Sequence, residues 1–201
     1  MQTTVTQHLS QDPILKNLVN RIPFRELSVN SSGVYLDLLG SIISQQLSTK
    51  VAKVISGRFR ALFPDENPHP HLLLAKDIDA LRTAGLSRQK AAYLQNVADF
   101  FQQENLLEKD WNGMDNDEII RYLTQIKGVG KWTVEMILMF SLSRPDILPL
   151  DDLGIRMAIA ELYSVEETGR QMHQKMTEIA AAWQPYRSYA CLYLWRYKDG
   201  A

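Results

Sequence analysis

In the stretch LDLLGSIISQQLSTKVAKVISGRFRALF, the apolar residues Leu36, Leu39, Ile43, Leu47, Val51, Ile55, Phe59 and Leu62 recur at steps of three or four, the spacing of one face of a helix. A polar cluster, Ser44-Gln45-Gln46 and then Ser48-Thr49, interrupts the series and predicts two helices with a bend or loop between them. PDENPHPH, from Pro64 to His71, reads as a loop that ends the preceding helix. A helix over Ile78 to Leu81 should stop at Gly85, and another should run from Ser87, its cap, to Phe101. Asp115 followed three residues later by Glu118 resembles a capping box. It opens a helix through Ile119, Ile120, Leu123 and Ile126 that Gly128 ends. A further helix starts near Thr133 and runs through Ile137, Leu138 and Phe140 to Leu142. Ser143 to Asp146 is a loop, ILPLDD leads into a helix from Leu153 to Tyr163, and Glu167 to Tyr197 reads as two helices broken at Pro185. No strand-like alternation of useful length and no internal repeat appears, so the predicted class is all-α.

Length and composition narrow the function classes. The chain has 201 residues, 45% of them hydrophobic, enough for one domain or two small intertwined halves without a disulfide or metal staple. The single Cys191 excludes an intrachain disulfide, a Cys-based zinc site and a Cys-ligated iron–sulfur cluster. No apolar run approaches the ~20 residues of a membrane span, and the polar start MQTTVTQHLSQDP lacks the regions of a secretory signal. The expectation is a soluble intracellular protein, of the cytoplasm or nucleoid in a bacterium and of the nucleus in a eukaryote. A formal net charge of -1 argues against a nucleic-acid binder. Yet acidic residues cluster (Asp115, Asp117, Glu118; Glu166, Glu167) while Arg82, Arg88 and Lys90, Lys127 and Lys131, and Arg187, Arg196 and Lys198 leave room for a one-sided basic face. His8, His69, His71 and His173 show no ligand spacing, so no catalytic metal is assigned.

Chemistry concentrates in LTQIKGVGKWTVEMILMF, Leu123 to Phe140. Two helices joined by Lys-Gly-Val-Gly make a tight turn in which Gly128 and Gly130 can take positive φ, and their bare backbone lets a phosphate approach the N–H groups at the next helix start. Val129 should pin the turn to the core. An ordinary helical hairpin is the alternative reading of the turn alone.

Leu-x-x-Ile-x-Gly-Val-Gly-x-x-Thr resembles the helix-hairpin-helix of the base-excision DNA glycosylase superfamily. LRTAGLSRQKAAYL, GKWT, LPLDDLGIR and WQPYRSYACLYLW are similar to its alkylation-repair branch, the AlkA-like 3-methyladenine DNA glycosylase II group. The match runs in order from about Asp12 to the end, without room for the extra N-terminal domain of larger bacterial members. The resemblance implies two helical subdomains with a DNA cleft between them: 34–142, ending in the hairpin, and 1–33 plus 143–201, carrying the catalytic Asp. It implies a monofunctional enzyme, since Trp132 stands where lyase-competent relatives have the Schiff-base Lys.

The essential carboxylate falls on Asp152, three residues before Ile155, while Asp151 is the better candidate for capping the next helix. An anion there stabilises the oxocarbenium-like sugar. Trp132 and Trp195 match base-pocket positions, where π-faces would hold an electron-poor alkylated purine. Met136 departs from the family's Tyr, and Tyr35 and Tyr189 are weaker pocket candidates. Gly128, Gly130, Lys131 and Thr133 should hold DNA backbone, and Gln46 or Leu47 should wedge the duplex. The implied partner is double-stranded DNA with alkylated bases, bound by a monomer. No cofactor is implied beyond a monovalent cation, Na+ or K+, at the hairpin. The alternatives are a glycosylase for deaminated or oxidised bases and a non-enzymatic damage sensor.

Overall fold

The computed structural model describes residues 1–28 and 32–200. Among them the chain forms twelve α-helices and no strand. The first six are α1 (Gln2–Leu9), α2 (Pro13–Arg21), α3 (Gly33–Ser44), α4 (Thr49–Arg60), α5 (Pro70–Leu74) and α6 (Ile78–Arg82). The rest are α7 (Arg88–Gln103), α8 (Asn116–Leu123), α9 (Lys131–Phe140), α10 (Leu153–Tyr163), α11 (Gly169–Ala180) and α12 (Arg187–Lys198). The class is all-α, as the periodicity predicts.

Half of the helix starts are capped by Ser or Asp side chains. The side chains of Asp12, Ser48, Asp77, Ser87, Asp115 and Asp152 each accept a backbone N–H of the helix they precede. At α8 the capping box is complete: Asp115 Oδ1 accepts from Glu118 N at 2.7 Å, and Glu118 Oε2 accepts from Asp115 N at 2.8 Å.

Four expectations need correction. The segment read as a loop through His71 turns helical at Pro70, because proline at the first helical position lacks only an N–H that would be unpaired anyway. The helix opened by Asp115 ends at Leu123, leaving Ile126 in the following turn. Its successor begins at Lys131 and closes at Phe140, two residues ahead of the expected span at both ends. The helices α1 and α2 were not expected at all; Pro13 and the Asp12 cap are the signal for α2.

Contacts divide the chain into two compact units, Asn30–Ile137 and Met1–Val29 with Leu138–Ala201. In the first, α7 packs against α3, α5 and α6 and buries Ala91, Leu94, Val97, Ala98 and Phe101, one continuous stripe. In the second, α12 packs against α10 and α2 and buries seven consecutive residues from Ser188 to Leu194. A helix buried on every side over that stretch is the axis of its unit.

Asp12 ties that unit together. Its Oδ1 caps α2 through Ile14 N and Leu15 N, while its Oδ2 accepts from Tyr163 Oη at 2.7 Å and from the fully buried Trp183 Nε1 at 2.9 Å. Burial, reinforced by the neighbouring Asp12 carboxylate, pushes the Tyr163 hydroxyl pKa well up.

Candidate active site

The hairpin is supported from below by α7. Gly128 has φ +104°, and a Cβ there would overlap the Tyr93 ring. Asn96 Nδ2 donates to Lys127 O at 3.0 Å. Gly130 differs: it is not among the positive-φ residues, and a Cβ there would meet nothing within 4 Å. The expectation of a symmetric pair is therefore corrected. Gly128 lets the turn close on Tyr93, whereas Gly130 leaves open backbone at the head of α9. Val129 is buried as expected. Thr133 is only 2% exposed, so its side chain supports the turn from inside and any anion contact there belongs to backbone. Lys131 Nζ lies 3.6 Å from the buried Glu135 Oε1.

Trp132, 38% exposed, follows on α9 and lines a depression of about 410 Å³ with Ser41, Ser44, Gln45 and Gln46. This brings two predicted residues, Trp132 and Gln46, to one surface. Met136, one helical turn after Trp132, is half-buried. Gln46 is exposed and sits in the left-handed region at φ +59°, between α3 and α4. Leu47 is half-buried and lines a second hollow with Ile55, Gly85, Leu86 and Lys90.

Lys90, which sequence reasoning assigned only to a basic cluster, holds this loop. Its Nζ donates to Ile43 O at 2.8 Å and Gln45 O at 2.6 Å, closing the open carbonyl end of α3. Burial lowers its pKa.

The other unit carries the carboxylate. Arg187 grips Asp146 in a bidentate pair, Nε to Oδ1 at 2.6 Å and Nη2 to Oδ2 at 2.9 Å. Ser188 Oγ donates to Arg144 O and accepts from Ile147 N, so the loop leading to Asp152 is fastened to the start of α12. Asp152 then caps α10: its Oδ1 accepts from Ile155 N at 2.9 Å and from Trp195 Nε1 at 2.8 Å. This overturns the assignment of the cap to Asp151, which is exposed and 3.6 Å from His173 Nε2. The cap thus falls on the same side chain that the sequence offers as the reacting carboxylate.

Trp195 also faces Phe140, ring centroids 5.9 Å apart. Phe140, 39% exposed at the end of α9, is an aromatic that sequence reasoning placed only in a helical stripe. Tyr35 and Tyr189 are not surface groups. Tyr35 is buried, donates to Pro68 O at 2.8 Å and packs on Phe101, and burial pushes its pKa up. Tyr189 is buried and stacked on Phe24. Both serve the cores of their units. Among the described residues no group of His, Cys, Asp and Glu could hold a metal, and no helix is long and apolar enough to cross a membrane.

The chain is all-helical, with an open glycine turn at the head of α9 and the Asp152 carboxylate capping α10. The chain belongs to the HhH-GPD superfamily of base excision DNA repair proteins, whose family model matches residues 39–185. It is 36% identical over 172 residues to DNA-3-methyladenine glycosylase 1 of Schizosaccharomyces pombe, covering 84% of this chain and 74% of that protein. Similarity to the putative DNA-3-methyladenine glycosylase YfjP of Bacillus subtilis is 32% over 169 residues, 81% of this chain but only 58% of that longer protein. The solved structure of Schizosaccharomyces pombe 3-methyladenine DNA glycosylase (Mag1) in complex with abasic DNA superposes with a TM-score of 0.83 at 32% identity, covering 98% of this chain and 97% of that one.

Proposed function

We propose that this protein is a monofunctional DNA glycosylase that removes N-alkylated purines such as 3-methyladenine and 7-methylguanine from duplex DNA, acting as a monomer in base excision repair. The observation that carries this reading is Asp152, held at the head of α10 by two N–H donors on a single oxygen, in a chain of this family. The C1′–N9 bond breaks with its electron pair moving onto the cationic base, which leaves neutral. Asp152 stabilises the positive sugar, a water oxygen bonds to C1′, and the water's proton passes to the carboxylate and on to solvent. A base that leaves neutral needs no strong general acid. The hydrolytic rather than lyase course rests on Trp132 at the Schiff-base position and on Lys131, whose amine lies beside Glu135.

Gly130 and the backbone at the start of α9 take a DNA phosphate, Gln46 with Leu47 fills the space of the extruded base, and Trp132 with Met136 contacts that base. The turn also suits a monovalent cation. The carbonyls of 124–129 lie outside any helix, and hard oxygen ligands fit Na+ or K+, which would add positive charge near the phosphate.

The test is base release from duplex DNA treated with a methylating agent, resolved by chromatography. Wild type should release 3-methyladenine or 7-methylguanine, and Asp152→Asn should lower the single-turnover rate by about 100-fold or more. Release of only deaminated or oxidised bases from defined duplexes would redirect the specificity. Binding without release of any base would make the protein a sensor.

A further inference from the structure

We propose that Trp195 is a positioning residue for Asp152, and that Gly154 is the space that admits its indole; this rests on the reading of Asp152 as the reacting carboxylate. Three observations converge. Trp195 Nε1 donates to Asp152 Oδ1 at 2.8 Å, a bond to a charged acceptor. The same oxygen accepts from Ile155 N at 2.9 Å, so donors from α10 and α12 together fix the direction of the carboxylate. A Cβ at Gly154 would lie 3.0 Å from Trp195 Cδ1, 3.2 Å from Asp152 Oδ1 and 3.3 Å from Trp195 Nε1. The three atoms nearest to that empty position are thus the bond itself and its neighbour. Gly154 is the second residue of α10, and the absence of a side chain there leaves room for the indole's close approach.

The alternative role for Trp195 is a wall on which the extruded base stacks. The two roles separate cleanly. A wall acts through its π-face and governs affinity for the base. A positioning donor acts through its N–H and governs the rate of bond cleavage. Trp195→Phe retains an aromatic ring and deletes the N–H.

The experiment is single-turnover release of 7-methylguanine from a methylated duplex, with duplex affinity measured alongside, for wild type, Trp195→Phe, Gly154→Ala, the double variant and Asp152→Asn. Trp195→Phe should lower the cleavage rate by about 10-fold or more while changing duplex affinity much less. Gly154→Ala should lower the rate in the same direction, and the double variant should be no worse than the lower single variant, since both remove one bond. In 15N–1H spectra, the indole signal that Trp195→Phe deletes should move in Asp152→Ala. A Trp195→Phe protein with wild-type cleavage rate, or one whose loss lies wholly in affinity, overturns the proposal while the glycosylase reading stands. Wild-type release by Asp152→Asn, or no release by wild type, overturns that reading and the positioning role with it. If Trp195→Phe does not fold, Gly154→Ala and the indole signal decide.

Discussion

Gln46 occupies a left-handed backbone position at φ +59°, which costs a residue with a side chain about 1–2 kcal/mol, and Lys90 holds the carbonyls of Ile43 and Gln45 just ahead of that strain. A strained, exposed amide at a loop apex suits a wedge better than it suits stability. Gln46→Gly should therefore raise unfolding free energy by a few tenths to about 1 kcal/mol, measured by chemical denaturation, while slowing base release. The glycine turn divides the same way. Gly128→Ala forces a Cβ into the Tyr93 ring at positive φ and should destabilise by about 2 kcal/mol or more. Gly130→Ala should fold normally, since nothing lies within 4 Å of the added carbon, and should lose DNA affinity in a binding titration. The motif itself was legible in sequence, but its division of labour was not. Tyr93 is distant along the chain, and no local pattern says which glycine it will sit beneath. The same holds for Tyr35 and Tyr189, whose burial is set by Phe101 and Phe24 rather than by their neighbours in sequence.

Helix caps are where local chemistry speaks most directly, and the capping box of α8 was readable from Asp115 and Glu118 alone. Asp115→Ala should cost about 1 kcal/mol in thermal or chemical unfolding, with little effect on base release, because the box lies outside the proposed machinery. Other elements were hidden for identifiable reasons. Pro70 breaks a helix when it lies inside one and starts a helix when it lies first, and periodicity over the five residues of α5 is too short to tell. The helices α1 and α2 are short and rich in polar residues; only Val5, Leu9, Leu15 and Leu18 are buried in them. The pair Asp151-Asp152 shows a subtler limit. Sequence offered Asp152 as the reacting carboxylate by spacing from Ile155 and gave the cap to Asp151, but the cap falls on Asp152 itself.

At the scale of the whole molecule the apparent basic clusters are largely balanced by partners that sequence could not supply. Arg82 and Arg88 share Asp79, Arg187 holds Asp146, Lys198 meets Glu161 and Lys131 lies near Glu135. Each of these five cations is shared with a carboxylate and so contributes less to phosphate binding than a free one. DNA binding should therefore show a shallow dependence on salt, with a log–log slope smaller in magnitude than about 5, measurable by fluorescence anisotropy. Asp12 is the counterpart in stability. Asp12→Ala removes the α2 cap and strands the Tyr163 hydroxyl and the buried Trp183 N–H, and should cost about 2–4 kcal/mol in denaturant unfolding. That bond network also sets an order of events during synthesis. The unit from Asn30 to Ile137 is one continuous run of chain and can close as soon as it leaves the ribosome. The other unit cannot: its first residues, Asp12 among them, must wait for Tyr163 and Trp183, and its axial helix is the last to be made. Asp152 belongs to that second unit, so a nascent or prematurely terminated chain carries the Gln46 loop in finished form and lacks the indole that bonds Asp152, and under the proposed mechanism it could not release a base.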